Sequence, residues 1–306
     1  MREEQPASGK GFAYAVAAYG SWGLLPLFWK LLGDIDAVQI LSCRVVFSLI
    51  LVWIILALRG KPAWPRLLAD RRARRSLIVS SAFIAVNWGL YIWAVNSGHT
   101  VDASLGYYIN PLVNVLLGLF FFRERMRPLQ WAAFGLAAAG VILLTLQTGG
   151  FPWIALSLAG TFGFYGFAKK SAGIDSLEGL GAETLLIAPL AAAYLAFRHA
   201  GGEGAFQGPA LRSALLVASG VVTALPLYWF ARGAKLLPLS LMGFVQYISP
   251  TLQLAAGVFL FGEAFPASRL TAFALVWAGL IAYSLSFFPS RRARERPSAA
   301  DRAPTR

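Results

Sequence analysis

A lone arginine, Arg44, stands inside an otherwise apolar run, Leu41-Ser42-Cys43-Arg44-Val45-Val46-Phe47. A guanidinium there offers a fixed positive charge and a planar fork of donors, chemistry that attracts an anionic or carbonyl-bearing group. Snorkelling to a nearby interface, or bonding to helix-end carbonyls, would use the same residue equally well. Amides and aromatic rings form a second population. Asn87, Trp88, Tyr91, Trp93 and Asn96 lie in one stretch, and Tyr107, Tyr108, Asn110 and Asn114 in the next. The second half of the chain adds Tyr228, Trp229, Gln246, Tyr247, Ser249 and Gln253. At i, i+4 spacing Asn87 shares a helical face with Tyr91, and Asn110 with Asn114. Buried amides and phenols either line a ligand cavity or tie helices together by hydrogen bonds. Taken with the arginine, they nominate Arg44, Asn87, Trp88, Tyr91, Asn96, Tyr108, Asn110, Tyr228, Gln246 and Tyr247 as substrate-binding residues of an aromatic–amide cavity.

Other chemistries have little to build on. Cys43 is the single cysteine, and the two histidines, His99 and His199, fall in expected loops. A thiolate cluster, a zinc site or a haem would lack ligands. No P-loop, GxSxG or HExxH sequence occurs, so ATP-driven pumping within this chain and hydrolase chemistry are unsupported. The expectation is no catalytic residue, no cofactor and no metal. Glu183 is the nearest acid to a proton carrier, at the start of an apolar segment, while Glu124 and Glu263 read as structural groups at helix ends.

The elements that must hold these residues follow from composition. Of 306 residues, 58% are hydrophobic and 13% charged, with a mean hydropathy of +0.62. Soluble domains carry about 25% charged residues, so this chain could not cover a water-exposed surface. Its charges are clustered between apolar runs of about 17–25 residues, the length that crosses ~30 Å of hydrocarbon as a helix. About ten spans result, at 11–29, 37–58, 76–96, 104–122, 129–147, 151–169, 181–197, 213–231, 239–261 and 269–288. The first run is longer than the core of a signal peptide and has no small-residue cleavage site, so it reads as an uncleaved span.

The net charge of +13 does not indicate nucleic acid, because the basic residues alternate from loop to loop. By this division 22 of the 27 Lys and Arg residues fall on one side, four on the other, and Arg44 within the membrane. The positive-inside rule then places both termini in the cytoplasm and requires an even number of spans. The chain is expected to be a multi-pass protein of the inner or plasma membrane. Residues 1–10 form a cytoplasmic N-terminus, and the basic tail at 289–306 is disordered on the anionic leaflet.

An offset of 139 positions lays the middle of the chain over its end. Tyr108-Ile109-Asn110-Pro111 falls on Tyr247-Ile248-Ser249-Pro250, Glu124 on Glu263, Ala133-Phe134 on Ala272-Phe273, and Ala139-Gly140 on Ala278-Gly279. Two repeats, 11–147 and 151–288, would each hold five spans, and an odd number inserts the second copy upside down. The loop after the fourth span, Arg123-Glu124-Arg125-Met126-Arg127, has lost its arginines in the counterpart Gly262-Glu263-Ala264-Phe265. Inverted repeats are a recurrent transporter architecture, since two similar halves rocking about a midplane site give two access states of similar energy.

Several runs resemble the RarD branch of the EamA family, within the drug/metabolite transporter superfamily. They are Tyr19-Gly20-Ser21-Trp22-Gly23-Leu24-Leu25-Pro26-Leu27-Phe28-Trp29-Lys30, Asn87-Trp88-Gly89-Leu90-Tyr91-Ile92-Trp93-Ala94-Val95-Asn96-Ser97-Gly98-His99, Pro226-Leu227-Tyr228-Trp229-Phe230-Ala231 and Gln246-Tyr247-Ile248-Ser249-Pro250. The resemblance implies ten helices, two EamA repeats and alternating access around a central cavity, with efflux as the direction. Where the family's second helix carries a Glu…His-Arg pattern, this chain reads Gln39-Ile40-Leu41-Ser42-Cys43-Arg44 and keeps only the arginine. The expected function is a secondary transporter exporting small amphipathic or amino-acid-like metabolites or drugs, with a small-molecule substrate and the lipid bilayer as partners. A non-transporting structural or signalling membrane protein of the same fold is the alternative. Monomer and homodimer both remain open.

Overall fold

The structure, a computed structural model, describes residues 9–58, 60, 64–122, 128–148, 151–172, 176–237, 242 and 245–285. The residues ahead of Gly9, the loop at 123–127 with Glu124, the opening of the expected ninth span and the basic tail lie outside the described residues.

Hydrocarbon supplies no hydrogen-bond partners, so an apolar chain must satisfy its backbone within each segment. The described elements are accordingly all helical: α1 (Gly9–Lys30), α2 (Ala37–Leu58), α3 (Trp64–Ala69), α4 (Arg71–Asn96), α5 (Thr100–Phe122), α6 (Pro128–Thr148), α7 (Trp153–Ala172), α8 (Ser176–Ala200), α9 (Ala210–Leu236), α10 (Ile248–Ala255, widening into a π turn over Ala256–Leu260) and α11 (Ala267–Leu285). Five of them, α2, α4, α6, α8 and α9, are long and apolar enough to cross a membrane by length and composition; Ile248–Leu260 and Ala267–Tyr283 are shorter apolar helices.

Local chemistry sets several boundaries. The Asp70 carboxylate accepts hydrogen bonds from the backbone N–H groups of Arg72 and Ala73, both at 3.2 Å, and so starts α4 at Arg71. That is earlier than the expected residue 76, and it places Arg71, Arg72, Arg74 and Arg75 in helix where a loop was expected. Asp36 caps α2 in the same way, through the N–H groups of Val38 and Gln39. The short α3 was not anticipated; six residues are too few to show a period. In the ninth segment helix α10 begins only at Ile248, and the chain turns out of it at Gly262, whose φ of +67° suits a residue without Cβ.

The principal packing is reciprocal between the two halves of the chain. Helices α2 and α8 pack together, as do α5 and α10, and α6 and α11. Helix α1 lies against α9 and α10, and α7 correspondingly against α4 and α5, while α2 meets α9 as α8 meets α4. Exchanging α1, α2, α4, α5 and α6 for α7, α8, α9, α10 and α11 maps this set of contacts onto itself. The reciprocity extends to atoms. A Cβ on Gly140 would lie 2.7 Å from the Ala272 carbonyl oxygen, and one on Gly279 would lie 2.6 Å from that of Ala133. These are the two glycines and the two alanines that the 139-residue offset aligns.

Replacing Gly140 or Gly279 with leucine is expected to force α6 and α11 apart, at a cost of about 1–3 kcal/mol each. Gly135 on the same helix has open space at its Cβ position, so Gly135→Ala should be neutral or slightly stabilising. Thermal unfolding of the three purified variants in detergent checks this.

Candidate functional site

Four helices carry the surroundings of Arg44. Near the middle of α2, its side chain is buried, with 4% relative exposure. The guanidinium carbon lies 4.0 Å from the ring centroid of Trp88 on α4 and 5.2 Å from that of Trp29 in the last turn of α1. Trp88 and Tyr91 sit at i, i+3 on α4 and so project from one side of it. Tyr91 meets Tyr107 of α5 edge to face, with centroids 5.5 Å apart, and both phenols lie within electrostatic reach of the guanidinium. Tyr107 in turn stands edge-on to Phe162 of α7, at 6.2 Å. The result is one cation walled by aromatic rings.

Four donors without acceptors gather in this cluster. Nε and Nη1 of Arg44, Nε1 of Trp29 and the hydroxyl of Tyr91 are all buried with no hydrogen-bond partner. A desolvated cation over an indole gains about 2 kcal/mol from the ring quadrupole, which offsets only part of the cost of burying the charge. Such a set of groups can accept a hydrogen-bond acceptor, best an anionic one.

The remaining nominated residues divide among other roles. Asn87 is buried and donates from Nδ2 to the Leu158 carbonyl and to Thr161 Oγ1 on α7, both at 2.9 Å, while its Oδ1 has no partner. Tyr108 bonds Thr251 Oγ1 at 2.7 Å and stacks parallel to Tyr247, with Phe273 and Trp277 of α11 edge-on to it. These contacts make Tyr108 and Tyr247 part of the α5–α10–α11 packing, in a cluster separate from that of Trp29 and Tyr91. Asn110 is buried with Oδ1 unpartnered, and Asn96 is half-buried with both amide atoms unpartnered. Tyr228 is half-buried with the Arg232 guanidinium 6.0 Å from its ring, and Gln246 is half-buried in the turn ahead of α10. An apolar groove between α1 and α9, lined in part by Leu24, Phe28, Leu225 and Trp229, holds none of these residues.

Residues 9–146 match the EamA-like transporter family. An uncharacterized transporter of Pseudomonas aeruginosa is 44% identical over 94% of this chain and 97% of that protein. Protein RarD of Streptomyces exfoliatus is 43% identical over 96% of this chain and 94% of its own length, and protein RarD of Escherichia coli is 37% identical over 92% and 96%. The chain belongs to the EamA family. A solved crystal structure with 20% sequence identity shares the fold, with a TM-score of 0.63 over 92% of this EamA protein and 99% of that chain. The protein is thus a multi-pass membrane transporter of the EamA/RarD group.

Three features of this EamA chain escaped the sequence. Trp29 reads as a membrane-interface aromatic but is fully buried beside Arg44, and hydropathy carries no signal for that. Glu263 is the structural helix-end group the sequence suggests, but the helix it caps lies in the other half: its carboxylate accepts from the N–H groups of Thr100 at 2.8 Å and Val101 at 2.7 Å, at the start of α5. The third is an ion pair. The sixth expected span, 151–169, ends on Lys169, counted with the cytoplasmic charges, and Glu183 stands at the mouth of the seventh. Instead Lys169 lies within α7, and α8 begins at Ser176, which carries Glu183 about two turns into the helix. Glu183 is fully buried and accepts from Lys169 Nζ at 3.2 Å, from Ser80 Oγ of α4 at 2.7 Å and from the Tyr165 hydroxyl at 3.4 Å. Lys169 also donates to the Tyr165 oxygen at 2.6 Å.

Lys169→Met should strand this carboxylate and destabilise the protein by about 3–5 kcal/mol. The double variant Lys169→Met/Glu183→Gln removes both charges and is expected to recover most of the loss in a thermal melt.

Proposed function

We propose that the chain is a secondary transporter that exports small amphipathic or amino-acid-like metabolites or drugs by alternating access. In this reading ten membrane-spanning helices form two inverted five-helix repeats, 11–147 and 151–288, with both termini in the cytoplasm. Substrate meets Arg44, Trp88 and Tyr91, joined by Trp29 and Tyr107.

The reciprocal packing of the two halves carries the proposal. A set of helix contacts that maps onto itself when the halves exchange gives the molecule two related arrangements, one open to each side. The halves then need only trade conformations for a central site to change its access. Arg44 supports a site there, because an arginine in hydrocarbon is retained where it faces protein or a water-filled cavity. Efflux rests on the resemblance to the RarD branch.

Metabolite release from cells with and without the protein is expected to differ in one or a few small amphipathic compounds. Arg44→Ala should abolish that difference while the protein still reaches the membrane; undiminished release removes Arg44 from the site. Tags on the two termini should both report from the cytoplasm.

A further inference from the structure

The charge balance around Arg44 names what is missing from it. Each acid on the adjoining turn between α1 and α2 is engaged elsewhere: Asp34 pairs with Arg212 at 3.0 Å, and Asp36 caps α2 and accepts from the Tyr194 hydroxyl at 3.1 Å. Lys30, the other cation of this region, donates to the Val95 carbonyl at 3.3 Å. Among the described residues no carboxylate pairs with Arg44, which keeps a whole positive charge out of water under two indole rings. The unpartnered atoms beside it, Trp29 Nε1 and the Tyr91 hydroxyl, are both able to donate.

We infer that the aromatic cage of Arg44 binds the carboxylate of a small organic monoanion, with the apolar body of the ligand against the surrounding rings. The inference rests on the transport reading for its claim that this ligand is the cargo. A carboxylate fits on three grounds. Its two oxygens accept parallel bonds from a guanidinium edge, the arrangement left available when rings cover the planar group. Its spare lone pairs take the indole N–H and the phenol O–H. One negative charge balances one arginine, whereas a dianion would leave excess charge in a cage that, among the described residues, supplies no second cation. A neutral alcohol would satisfy donors but leave the charge, and an amine would be repelled by it.

The test is ligand-induced thermal stabilisation of the purified full-length protein in detergent. The panel comprises aromatic and aliphatic carboxylates (phenylacetate, 3-phenylpropanoate, hexanoate), with 2-phenylethanol, phenethylamine and phenyl phosphate as neutral, cationic and dianionic counterparts. At least one monocarboxylate is expected to raise Tm in a saturable way, and the counterparts are expected not to. Arg44→Gln should raise the concentration required by about 100-fold. Tyr91→Phe, which keeps the ring and removes one donor, should raise it about fivefold and preserves the test if the arginine variant does not fold. The inference is overturned if no carboxylate stabilises the protein, if the alcohol, amine or phosphate does so equally well, or if either variant responds like the parent. Carboxylate binding with no carboxylate released by cells would keep the site and defeat the transport reading. Release of a cargo lacking a carboxylate would do the reverse.

Discussion

Hydrocarbon offers nothing to a polar group, and the arrangement of this molecule answers to that constraint. Backbone groups are satisfied inside helices, and several buried side chains find partners on neighbouring ones. Asn87 reaches the Leu158 carbonyl, Gln253 reaches the Trp22 carbonyl at 3.2 Å, and Glu183 gathers Lys169, Tyr165 and Ser80. Each of these bonds fixes one helix against another. Arg44 departs from the pattern, for its enclosure is made of rings and its donors are left over. Single atoms of Asn87, Asn110 and Gln253 also lack partners, but at Arg44 the leftover donors belong to a charged group buried among rings.

Much of the scaffold was legible from residue order because lipid imposes length and apolarity on each segment. Helix α2 lies at Ala37–Leu58, the limits that hydropathy gave, since it is bounded by Asp36 and a change to polar sequence. Segments whose ends depend on a cap or a partner were less legible. Helix α4 starts at Asp70 because that carboxylate turns inward to the backbone, and a hydropathy window sees only arginines there. Lys169 reads as the cytoplasmic end of its span for the same reason: nothing local reveals that Glu183, on the next helix, pairs with it.

The site was legible in part. A central arginine announces itself, and i, i+4 spacing groups Asn87 with Tyr91. Spacing along one helix says which side chains share a face but not what that face meets. Asn87 turned out to hold α7, and Tyr108 to anchor α10 and α11. Trp29 came to the arginine from a helix end that composition assigns to the membrane surface. The amide and phenol pattern therefore located the polar interior without separating ligand contacts from packing.

The cap supplied by Glu263 ties the opening of α5 to a residue 163 positions further along the chain. During synthesis the amides of Thr100 and Val101 emerge long before that carboxylate exists. Gly140 of α6 likewise precedes the α11 backbone against which it packs. The first half of the protein therefore leaves the ribosome with an uncapped helix and an unfilled contact face, and it reaches its final form only as the last helices insert. The contacts between the two halves can close only once the carboxyl-terminal helices are in place.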